Sequence, residues 1–332
     1  MLHVRPFQIL VLCFYISAQA ALAATPQNPL LTDDSLYLSH NGVHRFNRAD
    51  LSLEWTSLEG VRTFEPVIDD GRLFVGSTQG LYALDLKSGR ILWHIEKLQT
   101  IFSPEVSDQV YAGSLHGELY AIDAVRGDVN WREQFDGWIY SPIVMRDQGL
   151  LWTGGQAHQA YALATKDGRR LHSVPLSQES IFSPQDIGRQ QIAFNLFNGD
   201  TAIIDSVSAK VDGWLKGTTQ PKNLQFDKQF FYRTGRDGWL SAYDRNTYRA
   251  TWRKSITPHD LSLHPNSSGY LLMSDLDRSL ILYDLKNQTE VWQKELSGNW
   301  FSPIQIDAEE VIYFISPILQ PNQVSAVKIH AR

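Results

Sequence analysis

Residues 73–93 read LFVGSTQGLYALDLKSGRILW, and residues 110–131 read VYAGSLHGELYAIDAVRGDVNW. Each stretch alternates apolar and polar positions over short runs rich in Val, Leu, Tyr and Trp, with Gly and Asp where a tight turn needs them. That is the pattern of consecutive β-hairpins. In the first stretch, strand B runs from Leu73 to Gly76, Gly80 opens strand C (Leu81 to Asp85), and Ser88-Gly89 leads into strand D at Trp93. Strand A comes just before, at Pro66-Val67-Ile68, and joins through the Asp70-Gly71 turn.

The unit recurs along the whole chain. Trp55, Trp93 and Trp131 stand 38 residues apart, as do Trp214 and Trp252, and Trp292 follows 40 later. The 83-residue interval from Trp131 to Trp214 holds two periods, with His172 where a tryptophan is expected. Asp85, Asp123, Asp244 and Asp284 each precede their tryptophan by eight residues, and Asp205 precedes Trp214 by nine. Asn47 and Ala164 take the same place before Trp55 and His172. Four antiparallel strands in about 40 residues describe a propeller blade, whereas helical repeats of similar length carry a 3.6-residue period. The fold expected is all-β, an eight-bladed β-propeller with four antiparallel strands per blade. Seven blades is the alternative, because units five to seven are degenerate.

A second marker punctuates the repeat: Phe64-Glu65-Pro66, Ile101-Phe102-Ser103-Pro104, Tyr140-Ser141-Pro142, Ile181-Phe182-Ser183-Pro184 and Phe301-Ser302-Pro303. An innermost strand has one edge facing the central channel, so a proline lacking its N–H can begin it without losing a ladder bond. The aromatic is expected to pack between blades. Strand A is expected after Pro29, Pro66, Pro104, Pro142, Pro184 and Pro303, and near Leu224 and Leu261. The last unit carries A (to Ile306), B (Val311 to Ile315) and C (Val324 to Ile329), so its fourth strand is missing or lent by residues before Pro29.

Bulk composition narrows the function. With 43% hydrophobic and 20% charged residues, the 332-residue chain is globular. A formal net charge of -6 without any Lys/Arg block argues against nucleic acid as a partner. Arg5, the apolar run from Phe7 to Ile16, and the small-x-small sites Ala18-Gln19-Ala20 and Ala21-Leu22-Ala23 read as a signal peptide over residues 1–23. Residues 24–332 then form a single propeller domain with no transmembrane segment, exported to a Gram-negative periplasm and expected to be monomeric. Cys13, the one cysteine, lies inside the signal. Leu12 before it spoils a lipid-attachment motif, so anchoring there is not expected. A mature chain without a thiol has no disulfide, cysteine-ligated metal or cysteine nucleophile.

The string Ala83-x-Asp85-x-x-x-Gly89-x-x-x-Trp93 and its copies resemble the tryptophan-docking motif of propellers built from pyrroloquinoline-quinone-type (PQQ) repeats, over nearly the whole mature chain. One branch of that superfamily comprises quinone-dependent dehydrogenases, which work with a bound quinone and calcium. The other is non-enzymatic and is exemplified by the propeller subunit of the outer-membrane β-barrel assembly machinery, which the resemblance implies to be a docking scaffold. Dehydrogenases of this type are longer, and many stack the quinone on a disulfide between adjacent cysteines. No matching calcium-binding Glu, Asn and Asp with a catalytic Asp can be placed here. The expectation is therefore a non-catalytic scaffold without cofactor or metal that binds periplasmic or envelope proteins, possible partners in outer-membrane protein assembly. A quinone-dependent enzyme, or a propeller binding carbohydrate or another small ligand at the channel mouth, is the alternative.

Site residues follow from the same pattern. The repeated tryptophans and aspartates suit architecture, the carboxylate taking turn N–H groups and the indole packing between blades. Trp138, Trp239 and Trp300 stand outside the repeat, in or beside connecting loops, and are the candidate anchors for a partner. His40, His116 and His158 fall in or near B–C turns that share a rim but lie in different blades, so a single metal site is not expected. Asp275-x-Asp277 lacks the glycine and distal Glu of a calcium loop. No Gly-x-Ser-x-Gly, Walker-type loop or His-Glu-x-x-His occurs.

Overall fold

The computed structural model describes residues 29–96, 98, 101–180, 182–217, 221–235, 238–256, 258–263, 269–275, 279–295, 305–306, 311–315 and 324–328. The signal reading, Cys13, Asp277, Trp300 and the Phe301-Ser302-Pro303 triplet lie outside them. The described chain is all-β; its one helical turn is a 3-10 turn at Arg146–Gln148, ended by Gly149 at φ 62°. Among the described residues there are seven four-stranded antiparallel sheets and one of three strands, each built from strands consecutive in sequence.

The second sheet shows the rule: strands Val67–Asp69, Arg72–Ser77, Gly80–Asp85 and Ile91–Ile95 pair in that order. A strand begins at each place expected of strand A: Leu30–Leu31, Val67–Asp69, Glu105–Val106, Ile143–Met145, Gln185–Asp186, Pro221–Phe226, Pro258–Leu263 and Gln305–Ile306. The last sheet holds only that strand with Val311–Ile315 and Val324–Lys328. The A strands of neighbouring sheets touch: Val67–Asp69 meets Glu105–Val106, which meets Ile143–Met145, and Pro221–Phe226 meets Pro258–Leu263. Strand A is thus the inner strand of its sheet, and the sheets stand around it as propeller blades.

Strands B and C are buried on both faces because each face serves a different seam. In the second sheet Leu73, Val75, Tyr82 and Leu84 pack toward the first sheet, against Tyr37 and Val43. The alternate residues Phe74, Leu81 and Ala83 pack toward the third, against Val110, Ala112, Tyr120 and Ile122. The two-residue period of a strand sends successive side chains to opposite faces, so one run of apolar residues closes two interfaces. Equivalent cores fill the seams from third sheet to fourth, fourth to fifth, fifth to sixth and sixth to seventh. Strand D is the outer edge and alternates toward solvent, as in Val129–Gln134.

Candidate functional site: the rim of connecting loops

Antiparallel order puts A–B and C–D turns at one rim of the blades, and B–C turns with D–A connections at the other. The repeat motif lies at the first rim. Asp85 Oδ1 accepts the Ser88 N–H at 2.8 Å and the Ser88 hydroxyl at 2.6 Å. Asp123, Asp205, Asp244 and Asp284 likewise accept the N–H groups two and three residues on. These bonds hold the carboxyls below the usual carboxylate range, the Ser88 hydroxyl leading at Asp85 and the Arg126 N–H at Asp123. Four residues after the Asp, or after the Asn47 and Ala164 that replace it, the chain enters the left-handed region in every copy from the first sheet to the seventh: Leu51, Gly89, Gly127, Gly168, Ala209, Tyr248 and Gln288.

Where that residue is glycine, the tryptophan of the preceding blade lies on it. A Cβ at Gly89 would fall 2.6 Å from Trp55, at Gly127 2.8 Å from Trp93, and at Gly168 2.5 Å from Trp131. Trp93 Nε1 donates to the Ala124 carbonyl at 3.1 Å and Trp131 Nε1 to the Thr165 carbonyl at 2.9 Å, each in the next blade. Trp55 Nε1 has no such acceptor. On strand C, Trp93, Trp131, Trp214, Trp252 and also His172 face an alanine, while Trp292 faces Leu282. Small strand C residues thus leave space for the docked ring.

The opposite rim gathers the loop residues. The connection between blades crosses the end of strand B so closely that only glycine fits there: a Cβ on Gly76 would lie 2.0 Å from the Phe102 carbonyl oxygen, and on Gly113 2.4 Å from that of Tyr140. Phe102 N–H donates to Gly113 O at 3.0 Å and Tyr140 N–H to Gly154 O at 3.1 Å, clamping each connection onto the blade it enters. The triplet aromatics then pack in series with tilted rings, Phe64 against Phe102 at 5.7 Å and Phe102 against Tyr140 at 5.0 Å between ring centroids. Phe64 and Phe102 are each 4% exposed.

Phe182 breaks the series. It occupies the same place in an identical Ile-Phe-Ser-Pro and is 38% exposed, with no stacking partner among the described residues. Sequence reasoning assigned it to packing, and the signal that could have separated it is the next connection, Lys216-Gly217-Thr218-Thr219-Gln220-Pro221, which brings no aromatic to receive it. Trp138 lies in the D–A connection as expected but is half-buried, its ring 6.4 Å from Tyr140. Trp239 opens strand C of the sixth sheet beside Gly238, half-buried under Arg253, whose Cζ sits 4.6 Å above its ring. Phe182 is therefore the most open aromatic of the described rim candidates.

Acidic groups on the inner side of the blades are desolvated. Glu105, on the third A strand, has its pKa pushed up to about 7 by burial, partly offset by Arg146. Burial raises Glu179 against the pull of His158, and raises Tyr140 with a further push from Glu179. His116 and His158 are exposed on their B–C turns and His40 is half-buried. No group of three or more His, Cys, Asp or Glu residues placed to hold a metal occurs among the described residues. No described helix is long and apolar enough to cross a membrane.

The family model described as Outer membrane protein assembly factor BamB matches residues 96–215. Two curated relatives with that name are similar. The one from Nitrosomonas eutropha is 27% identical over 169 residues, covering 48% of this chain and 40% of the relative. The one from Moranella endobia is 23% identical over 259 residues, 61% of this chain and 66% of the relative. The chain thus spans less than two thirds of either relative's length. In fold it matches BamB from Moraxella catarrhalis with a TM-score of 0.74 at 16% identity, over 90% of this chain and 95% of that one. It also matches the quinohemoprotein alcohol dehydrogenase ADHIIG from Pseudomonas putida HK5, with a TM-score of 0.68 at 14% identity over 88% of this chain and 70% of that one. Docking motif, sheet order and these likenesses agree: the chain is a PQQ-type repeat β-propeller similar to BamB.

Proposed function

We propose that this protein is an exported, monomeric, eight-bladed propeller that acts without catalysis as a docking scaffold for envelope proteins in outer-membrane protein assembly. The repeated tryptophans and aspartates serve the architecture; the partner surface is the rim of D–A connections and B–C turns, with Trp138, Trp239 and Trp300 as anchors and Phe182 as a further one. The observation that carries this reading is the open Phe182 ring. A large apolar side chain left exposed where its counterparts are buried is a ready contact for another protein. The printed role of the BamB relatives as outer membrane protein assembly factors favours the same client class.

Affinity capture from solubilised native envelopes tests it. The wild-type chain is expected to retain outer-membrane assembly proteins, and Phe182→Ala to retain less while melting within about 0.5 kcal/mol of wild type, as surface changes do. If nothing from the envelope is retained, the scaffold reading fails. Likeness in fold to a quinohemoprotein dehydrogenase supports a second reading. Saturable dye-linked alcohol oxidation after adding quinone and calcium would establish that reading instead.

A further inference from the structure

The seam between the fifth and sixth sheets departs from the docking rule. The left-handed turn residue that should receive the tryptophan is Tyr248, at φ 58°, in place of glycine. Its ring lies instead on Gly213, where a Cβ would fall 2.1 Å from it, and the indole of the adjacent Trp214 donates to no described residue. A cavity of about 430 Å³ opens beside these rings, lined by Trp214, Tyr243 and Tyr248 with Asp212, Lys216 and Arg249 around them. That volume is ordinary for a small-molecule site, where about 300–1,000 Å³ is usual.

The walls are held in place. The Gln191 amide, 9% exposed, donates to Asp212 Oδ2 at 2.6 Å and to the Tyr248 hydroxyl oxygen at 2.8 Å, fixing the carboxylate and the phenol on one side. Tyr243, 6% exposed, donates its hydroxyl to the Lys216 carbonyl at 2.5 Å, which ties the chain just beyond the strand Lys210–Leu215 to it. Lys216 Nζ stands 5.2 Å from the Trp214 ring centroid. Aromatic faces are thus surrounded by one fixed acceptor and several donors.

We propose that this seam is a carbohydrate-binding site. A sugar ring presents flat C–H faces, which suit an indole or phenol ring, and an equatorial belt of hydroxyls that both donate and accept. Asp212 takes hydroxyl protons, while the Trp214 indole N–H, Arg249 and the donors left on Lys216, whose Nζ also pairs with Asp200 Oδ2 at 2.7 Å, donate to hydroxyl oxygens. A short, open pocket of mixed charge fits such a ligand better than an extended peptide, which would need a longer row of main-chain partners. Most of the site lies toward the C–D turns, with Lys216 at the start of a D–A connection, and none of the proposed anchors of the partner surface lines it.

Calorimetric and saturation-transfer titrations of the full chain with maltotetraose and with the N-acetylglucosamine tetramer test the assignment. Saturable binding of at least one is expected, weakened about tenfold or more in Asp212→Asn and in Tyr248→Phe, each of which removes a fixed hydrogen-bonding group. Arg249→Gln, an exposed change that leaves the seam packing intact, should weaken it as well. Absence of saturable binding of both sugars overturns the proposal. Binding that all three variants retain unchanged overturns it too, since the sugar would then sit elsewhere.

Discussion

At the residue scale, the left-handed position of each C–D turn separates what a motif needs from what it tolerates. Gly168 lies under Trp131, so Gly168→Ala adds both backbone strain and a clash with the ring; a loss of about 1–3 kcal/mol in chemical denaturation is expected. Ala209 already bears that strain at φ 54°. Ala209→Gly relieves it at the cost of a freer unfolded chain, and should lie between neutral and about 1 kcal/mol stabilising. Glu105 supplies a pH test. Its folded pKa of about 7 lies above the unfolded value of roughly 4.3, so the fold binds its proton more tightly. The contribution is fully present below that unfolded value and is lost as pH rises through about 7. Glu105→Gln should therefore melt above wild type at pH 8, with the gap closing as the pH falls toward 4. A gap independent of pH would rule out titration of this group as its source.

At the element scale, the seams show where local sequence stops deciding. Ile-Phe-Ser-Pro occurs twice, yet Phe102 is buried and Phe182 is open, because burial here depends on the connections of the neighbouring blades. The tryptophan spacing located the seams; it could not show that Gly213 makes room for Tyr248 or that buried arginines bind the fifth and sixth sheets together. Arg233 donates to the Leu215 carbonyl at 3.1 Å and to the Gly199 carbonyl. Arg245, 5% exposed, donates to the Asp227 carbonyl at 2.7 Å and the Ile187 carbonyl at 2.5 Å, and its Cζ stands 4.9 Å from the ring centroids of Phe226 and Phe231. Burial lowers its pKa, but a guanidinium stays charged at neutral pH. Arg245→Met would leave two carbonyls without their donor and should cost about 2–4 kcal/mol in urea melts. An unchanged midpoint would show that water replaces the guanidinium there.

At the scale of the whole molecule, the proposed closure of the blades into a ring makes a further demand. Each blade covers the face of the next, so removing one opens two apolar faces and leaves exposed sheet edges. Deleting residues 303–332 should abolish the soluble monomer, read by size-exclusion chromatography; a soluble truncated chain with an unaltered melting curve would contradict closure through the last sheet. The sequence by itself determined the repeat, the four-strand unit, the start of each strand A and the spacing of Trp and Asp. These are periodic and local, written by strand alternation, turn glycines and the missing N–H of proline. Only the tertiary structure decided which rings are covered, which indole finds an acceptor, and where the seam between the fifth and sixth sheets leaves a cavity. Those outcomes depend on contacts between blades whose residues lie about 40 positions apart, and a side chain's burial is a property of what the neighbouring blade brings against it.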